Sequence, residues 1–379
     1  MASFIYLPLE RVVFDQPAAQ AAAAEAARIG ARRVFIVSSK TLSRKTTAVQ
    51  EIQQALSDRC AGLFDECIAH TPWPSVIAAA EAVREAKPDL ILTVGGGTPI
   101  DTVKILQLAL AHDVHEVEGL ERLTAPALKA PRPSPVRQVV VPTTLSGAEF
   151  SNLGGGTDTR TRLKHSFTGA DIGARSVILD PEITRYTPEW LWLSTGIRGV
   201  DHAVEALCSV EAHPYCDGLA LHALRLFAEG LPHCKDSPED LEARLLCQQA
   251  SWLAASTIAR VSYGASHGIG HALGAAADVP HGYTSCIMLP HVMRYNEPAT
   301  GEKQKRIAEA LGRPGESAAD AVAALVRALG QPATLRDAGV KREQLLAIAA
   351  GAMKNRWVLA NPQPIRTEAD VMRLLEAAW

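Results

Sequence analysis

The stretch Asp89-Leu-Ile-Leu-Thr-Val-Gly-Gly-Gly-Thr-Pro-Ile-Asp101 decides the fold. Leu90 to Val94 is an unbroken apolar and β-branched run, the pattern of a strand buried on both faces. It opens onto Gly95-Gly96-Gly97-Thr98 and then a helix, whose first turn accommodates Pro99 because the missing donor costs nothing there. Glycines without a Cβ let backbone N–H groups approach a phosphate, and the helix N-terminus adds a favourable dipole. Asp101 and Lys104 fall in the first turns of that helix, within reach of ribose or phosphate. A single glycine-rich turn of this kind also occurs for packing reasons alone.

Upstream, the alanine-rich stretch 17–30 reads as a helix with Gly30 at its C-cap, followed by a strand over 32–38. A helix over 44–57, the link His70-Thr-Pro-Trp-Pro74 and a helix over 75–86 complete an alternation that implies a parallel sheet covered on both faces. Downstream, Val139-Val-Val-Pro142 is a second buried-strand run. It ends in Thr143-Thr-Leu-Ser-Gly-Ala-Glu149, a loop of hydroxyls and small residues suited to a nucleotide. Two such loops at strand carboxyl ends fit the crevice where open α/β sheets bind ligands.

From about Thr187 strand-like runs nearly vanish and helical periodicity takes over: 200–209, 218–231, 241–256, 303–311, 318–329, 342–350 and 368–378. A boundary between Pro181 and Pro188 divides the chain into an α/β part, 1–184, and an all-helical part, 185–379. The helical part carries an unusual histidine density. Three of the chain's 12 histidines, His267, His271 and His281, fall within fifteen positions. On a helix His267 and His271 share a face, as do Arg198, His202 and Glu205 upstream. Inward polar stripes of this kind mark either a satisfied core or a site. With nucleotide loops in one part and histidines in the other, a ligand pocket is expected where the two parts meet.

Composition excludes several classes. The 379 residues suggest two domains, and 47% hydrophobic with 21% charged is ordinary for a globular protein. The net charge of -3 comes from interspersed signs without a basic stripe, which argues against nucleic acid. The start lacks the pattern of a secretory signal and no run is long enough to span a bilayer, so a cytoplasmic protein without membrane contact is expected. Seven scattered cysteines without a C-x-x-C pair read as free thiols.

Gly95-Gly-Gly-Thr-Pro-Ile-Asp101, Pro142-Thr-Thr-Leu-Ser-Gly147, His202-Ala-Val-Glu205, His267-Gly-Ile-Gly-His271 and Pro280-His281-Gly282 together resemble the iron-containing, or group III, alcohol dehydrogenase family, in its order and over essentially the whole chain. The resemblance implies the dehydroquinate synthase-like fold: an N-terminal Rossmann-like domain binding NAD(P), a C-terminal helical domain, and hydride transfer between them in a homodimer. It implies that Gly95, Gly96, Gly97, Thr98 and Asp101 contact the pyrophosphate region, with Thr143, Thr144 and Ser146 on the nucleotide's other side. It also implies an iron or zinc ion held by one aspartate and three histidines, here matched by His202, His267 and His281, with His271 near the nicotinamide.

Two departures matter. The family aspartate, four residues before His202, is Arg198, a permanent cation that cannot ligate a metal and repels one. Asp201, about a quarter turn from the ligand face, is a poor substitute. Without a Lewis acid, Arg198, His202, His267, His271 and His281 are left to form a cationic pocket suited to a carboxylate. That points to the maleylacetate reductase branch, which the His70-Thr-Pro72 turn also resembles: NAD(P)H-dependent reduction of an unsaturated keto-diacid in aromatic breakdown, with no obligatory metal. Second, Val37-Ser38-Ser39-Lys40 has no aspartate for the adenosine ribose, so NADPH should be tolerated as well as NADH, unless Ser39 merely ends a strand. The alternatives are an iron- or zinc-dependent alcohol or aldehyde dehydrogenase using His202, His267 and His281, and a non-catalytic nucleotide-binding protein.

Overall fold

The computed structural model describes residues 4–161 and 163–379. The chain forms two compact units, Met1–Thr187 and Pro188–Trp379. The first contains β1 (Arg11–Phe14), α1 (Ala18–Ile29), β2 (Val34–Ser38), α2 (Lys40–Lys45), α3 (Ala48–Leu56), β3 (Cys60–Phe64), α4 (Trp73–Ala86), β4 (Leu90–Gly95), α5 (Gly97–Ala111) and β5 (Gln138–Pro142). A hairpin of β6 (Leu153–Asp158) and β7 (Leu163–Thr168) follows, and then β8 (Ala174–Leu179).

Six strands form one parallel sheet in the order β1-β8-β5-β4-β2-β3. Successive side chains of a strand serve opposite layers. Val34 and Ile36 pack with α1 and α3, whereas Phe35 and Val37 pack with α4 and α5, so the unit is a three-layer α/β/α sandwich. From β2 the chain moves outward to β3, and from β4 it moves the other way to β5. The carboxyl ends of the neighbours β2 and β4 therefore flank the sheet's switch point, where open α/β sheets take their ligands. Gly30, at φ 78°, ends α1, and the N–H groups of Gly30 and Ala31 bond back to the carbonyls of Ala27 and Ala26.

The predicted helix over 44–57 is two helices. Thr46 is extended, donates its hydroxyl to the Leu42 carbonyl at 2.5 Å and accepts from the Ala48 N–H at 3.3 Å, replacing helical backbone bonds with side-chain ones.

The second unit is helical: α6 (Glu189–Cys208), α7 (Pro214–Asp236), α8 (Leu241–Ala255), α9 (Ala265–Ala277), α10 (His281–Ala310), α11 (Ala318–Ala328), α12 (Leu345–Ala352), α13 (Arg356–Leu359) and α14 (Glu368–Ala377). One apolar cluster joins α9, α10, α12 and α14 through Ile269, Ile287, Ile348 and Leu375. α10 runs through Pro290 and Pro298, either of which would ordinarily end or kink a helix. It survives by bending. The Gln304 side chain donates to the Met293 carbonyl at 2.7 Å, although eleven residues of straight helix span ~16 Å, which places a sharp kink near Pro298. Among the described residues no helix is long and apolar enough to cross a membrane.

Candidate active site

In the first unit the two predicted loops form one assembly at the carboxyl ends of β4 and β5. The Thr143 N–H donates to the Gly95 carbonyl at 3.1 Å, and the hydroxyls of Thr144 and Ser146 lie 3.2 Å apart. A Cβ on Gly96 would come within 2.9 Å of the Thr144 methyl, so this glycine is required for loop packing whatever else it serves. Asp101 accepts the Gly155 N–H at 3.0 Å, which ties α5 to β6.

Lys104 departs from expectation. It is fully buried, and its ammonium donates to the carbonyls of Ala148 (2.6 Å) and Leu153 (2.8 Å) and to Ser151 Oγ (3.2 Å), with Asp101 at 3.4 Å. These partners consume its donors, so it braces the loop instead of meeting ribose or phosphate. Burial lowers its pKa, and Asp101 opposes that. Beside it, burial pushes the Glu149 carboxyl up to about 7, and Glu149 Oε2 has no hydrogen-bond partner among the described residues. At the end of β2, Ser39 caps α2 by accepting the Leu42 N–H at 3.4 Å, and Lys40 is paired with Glu66 at 2.9 Å.

In the second unit three helices converge. α6 supplies Arg198, Asp201, His202 and Glu205, α9 supplies Ser266, His267 and His271, and α10 begins at His281 and adds Ser285. Gly270 lets α10 approach, since a Cβ there would lie 2.8 Å from Thr284 Oγ1. Arg198, Asp201, His202, Glu205, His267 and Ser285 are all buried. The Arg198 guanidinium donates to His281 Nε2 at 2.7 Å and to Ser285 Oγ at 3.1 Å. His267 bonds Glu205 through Nδ1 at 2.7 Å and His202 Nδ1 through Nε2 at 2.9 Å. His271 stacks on His281, ring centroids 5.3 Å apart, and Asn355 donates to His271 Nδ1 at 3.1 Å. All five side chains singled out in the sequence thus form one connected cluster.

Asp201, which the sequence reading set aside as a metal ligand, is part of the cluster. Its carboxylate is fully buried and accepts from Ser266 Oγ (2.8 Å) and Ser285 Oγ (2.6 Å), and it lies 3.4 Å from His267 Nδ1 and 3.9 Å from Arg198. Burial raises its pKa, but His267, Arg198 and the Ser285 hydrogen bond outweigh that and hold it below the usual carboxylate value. The pocket is therefore less cationic than one arginine and four histidines suggest, because Asp201 and Glu205 offset that charge. Glu205 also receives the N–H groups of Ser266 (2.9 Å) and His267 (3.2 Å), which fixes the start of α9.

The profile described as "Iron-containing alcohol dehydrogenase" matches residues 9–181, and "Fe-containing alcohol dehydrogenase family, C-terminal" matches residues 192–379. The chain belongs to the iron-containing alcohol dehydrogenase family. It is an NAD(P)-dependent oxidoreductase. It is similar to Dehydrogenase ALT3 of Alternaria alternata, 35% identical over 92% of this chain and 99% of the relative. A maleylacetate reductase of Sphingobium indicum is 30% identical over 99% of this chain and 97% of its own. The crystal structure of maleylacetate reductase from Agrobacterium tumefaciens superposes with a TM-score of 0.84, at 27% identity, covering 100% of this chain and 99% of that one.

The family's name implies iron, and the donors here are poorly disposed for it. Arginine can only donate, so His281 Nε2 is an acceptor already taken by Arg198. A carboxylate accepts, so His267 Nδ1 carries a hydrogen toward Glu205, and in the neutral ring Nε2 accepts from His202. A three-histidine site would need those same ring nitrogens, beside a guanidinium. Donor atoms of Asp201, Glu205 and His267 do lie within 4.8 Å of one another, and Asp201 Oδ1 has no hydrogen-bond partner among the described residues. Their other oxygens and the His267 ring are occupied as described. Asp201, Glu205, Ser266, Ser285 and Asn355 are the residues the sequence reading did not select; of these, Glu205 was noted there as part of the α6 stripe and Asp201 was set aside as a poor substitute ligand.

Proposed function

We propose that the chain reduces an unsaturated keto-diacid such as maleylacetate, with the Arg198 guanidinium taking the part that a metal plays in other members. The observation that carries this reading is the 2.7 Å hydrogen bond from Arg198 to His281 Nε2, which puts a fixed cation against a ring nitrogen the resemblance assigns to the metal. Burial lowers the arginine's pKa and Asp201 and Glu205 pull it back, yet a guanidinium starts so far above neutrality that it stays charged. Maleylacetate reductases among the relatives support the substrate class.

The bound reduced nicotinamide supplies a hydride. Hydride addition to a carbon–carbon double bond conjugated with a ketone moves negative charge onto the ketone oxygen, and a proton then completes the neighbouring carbon. Arg198 stabilises such charge, or pairs with a carboxylate through two parallel N–H groups. Asn355 donates to His271 Nδ1 while its own Oδ1 accepts from Trp357, so neutral His271 carries its hydrogen on Nε2, as a donor. Glu205 and His267 act one step back, orienting His202.

A substrate panel tests the proposal. Keto-diacids should be reduced far better than simple aldehydes, and Arg198→Ala should cost the diacid about 2 to 4 kcal/mol in kcat/KM. Efficient oxidation of short alcohols, or an alanine variant that reduces the diacid as wild type does, contradicts it. A second reading, a metal-dependent alcohol dehydrogenase, draws on the Asp201, Glu205 and His267 donors and on Asp201 Oδ1, which has no hydrogen-bond partner among the described residues.

A further inference from the structure

We infer that Asp65 and Glu66 decide which dinucleotide the first unit accepts, by neutralising the two cations that would otherwise receive a 2′-phosphate. The inference rests on the cofactor reading of that unit.

Ser38 ends β2 beside Val94 of β4 and donates to the Val94 carbonyl at 2.8 Å, so Ser39 and Lys40 follow the strand that borders the glycine loop at the switch point. In dinucleotide-binding sheets that neighbouring strand end meets the adenosine ribose, where an acid favours NAD and a cation favours NADP. Position 39 is a serine, and Lys40 and Arg44 stand next to it on α2.

Those cations are already engaged. β3 lies parallel to β2 on the side away from β4, and its carboxyl end continues directly into Asp65 and Glu66. Lys40 Nζ is 2.9 Å from Glu66 Oε2, and Arg44 Nη2 is 2.7 Å from Glu66 Oε1. Arg44 also meets Asp65 through Nε at 2.7 Å and Nη2 at 2.8 Å, and Ser43 donates to the same carboxylate at 2.6 Å. These partners hold both carboxyls below their usual range.

An isolated exposed ion pair contributes little to stability. Its consequence for a ligand is different, because two cations and two carboxylates present no net charge to a group carrying nearly two negative charges. The acid expected from the end of β2 thus comes from the end of β3, two strand positions from the glycine loop. A 2′-phosphate must displace Glu66 from Lys40 and Arg44 before it gains anything, whereas a 2′-hydroxyl fits the paired state.

The test is direct titration of nicotinamide fluorescence with NADH and NADPH, giving dissociation constants independent of turnover. Wild type is expected to bind NADH about tenfold or more tightly than NADPH. In Glu66→Gln the ratio of the NADPH to the NADH dissociation constant should fall several-fold, and in Asp65→Asn/Glu66→Gln about tenfold, more at low salt than at high. Adding Lys40→Gln and Arg44→Gln to the double variant should restore the wild-type ratio, which separates charge from damage to the fold. A ratio within twofold of wild type in both acid variants overturns the inference, as does wild-type binding that is equal for the two. Wild type that binds neither dinucleotide overturns the cofactor reading itself.

Discussion

Two of the buried cations, Lys104 in the first unit and Arg198 in the second, are held in opposite ways. Lys104 spends its three N–H donors on two main-chain carbonyls and one serine hydroxyl, groups that neither titrate at neutral pH nor leave. Arg198 is held by His281 and Ser285, with Asp201 at 3.9 Å, all of them side chains that can re-pair when a ligand arrives. Burial of a charge therefore does not mark a site by itself. The partners decide: backbone partners make a brace, and exchangeable side-chain partners make a place where negative charge can be received.

Removing each brace should sharpen that contrast. Lys104→Met should be the most damaging, about 3 to 5 kcal/mol in urea denaturation, because the Ala148 and Leu153 carbonyls, Ser151 and the half-buried Asp101 all lose their cation. A loss under 1 kcal/mol would mean that the loop does not depend on it. Glu149 comes next. Its folded pKa of about 7 exceeds the ordinary 4.5, so between those values the folded state binds the extra proton and stability falls as pH rises. The cost reaches about 3 kcal/mol at most above pH 7 and vanishes below pH 4.5. The stability of Glu149→Gln relative to wild type should therefore grow from pH 4.5 to 7 and then level off. A difference that stays flat with pH would show that Glu149 is ionised in the folded protein.

The layered first unit was readable because strands buried on both faces leave unbroken apolar runs, as at Leu90 to Val94 and Val139 to Val141. The histidines were readable because few composition-neutral explanations produce three in fifteen residues. What escaped depends on partners without a sequence signature. Lys104 binds main-chain carbonyls 44 and 49 residues away. Asp201 was set aside on helix geometry alone, which could not show that Ser266 of α9 and Ser285 of α10 close over its side of α6. Asn355 reaches His271 across 84 residues. The acids beside Lys40 come from a neighbouring strand, and parallel pairing of β2 with β3 is what brings them there.

The measurement that bears most directly on Arg198 is metal content of protein purified without chelators, read alongside activity before and after chelation. Arg198 occupies His281 Nε2, and His267 is engaged by Glu205 and His202, so less than about 0.1 equivalent of iron or zinc is expected, with reduction of the diacid unchanged by chelator. Arg198→Asp should then raise metal affinity and lower diacid reduction. Near one equivalent of either metal per wild-type chain, with activity lost on chelation and restored by that metal, would contradict the account.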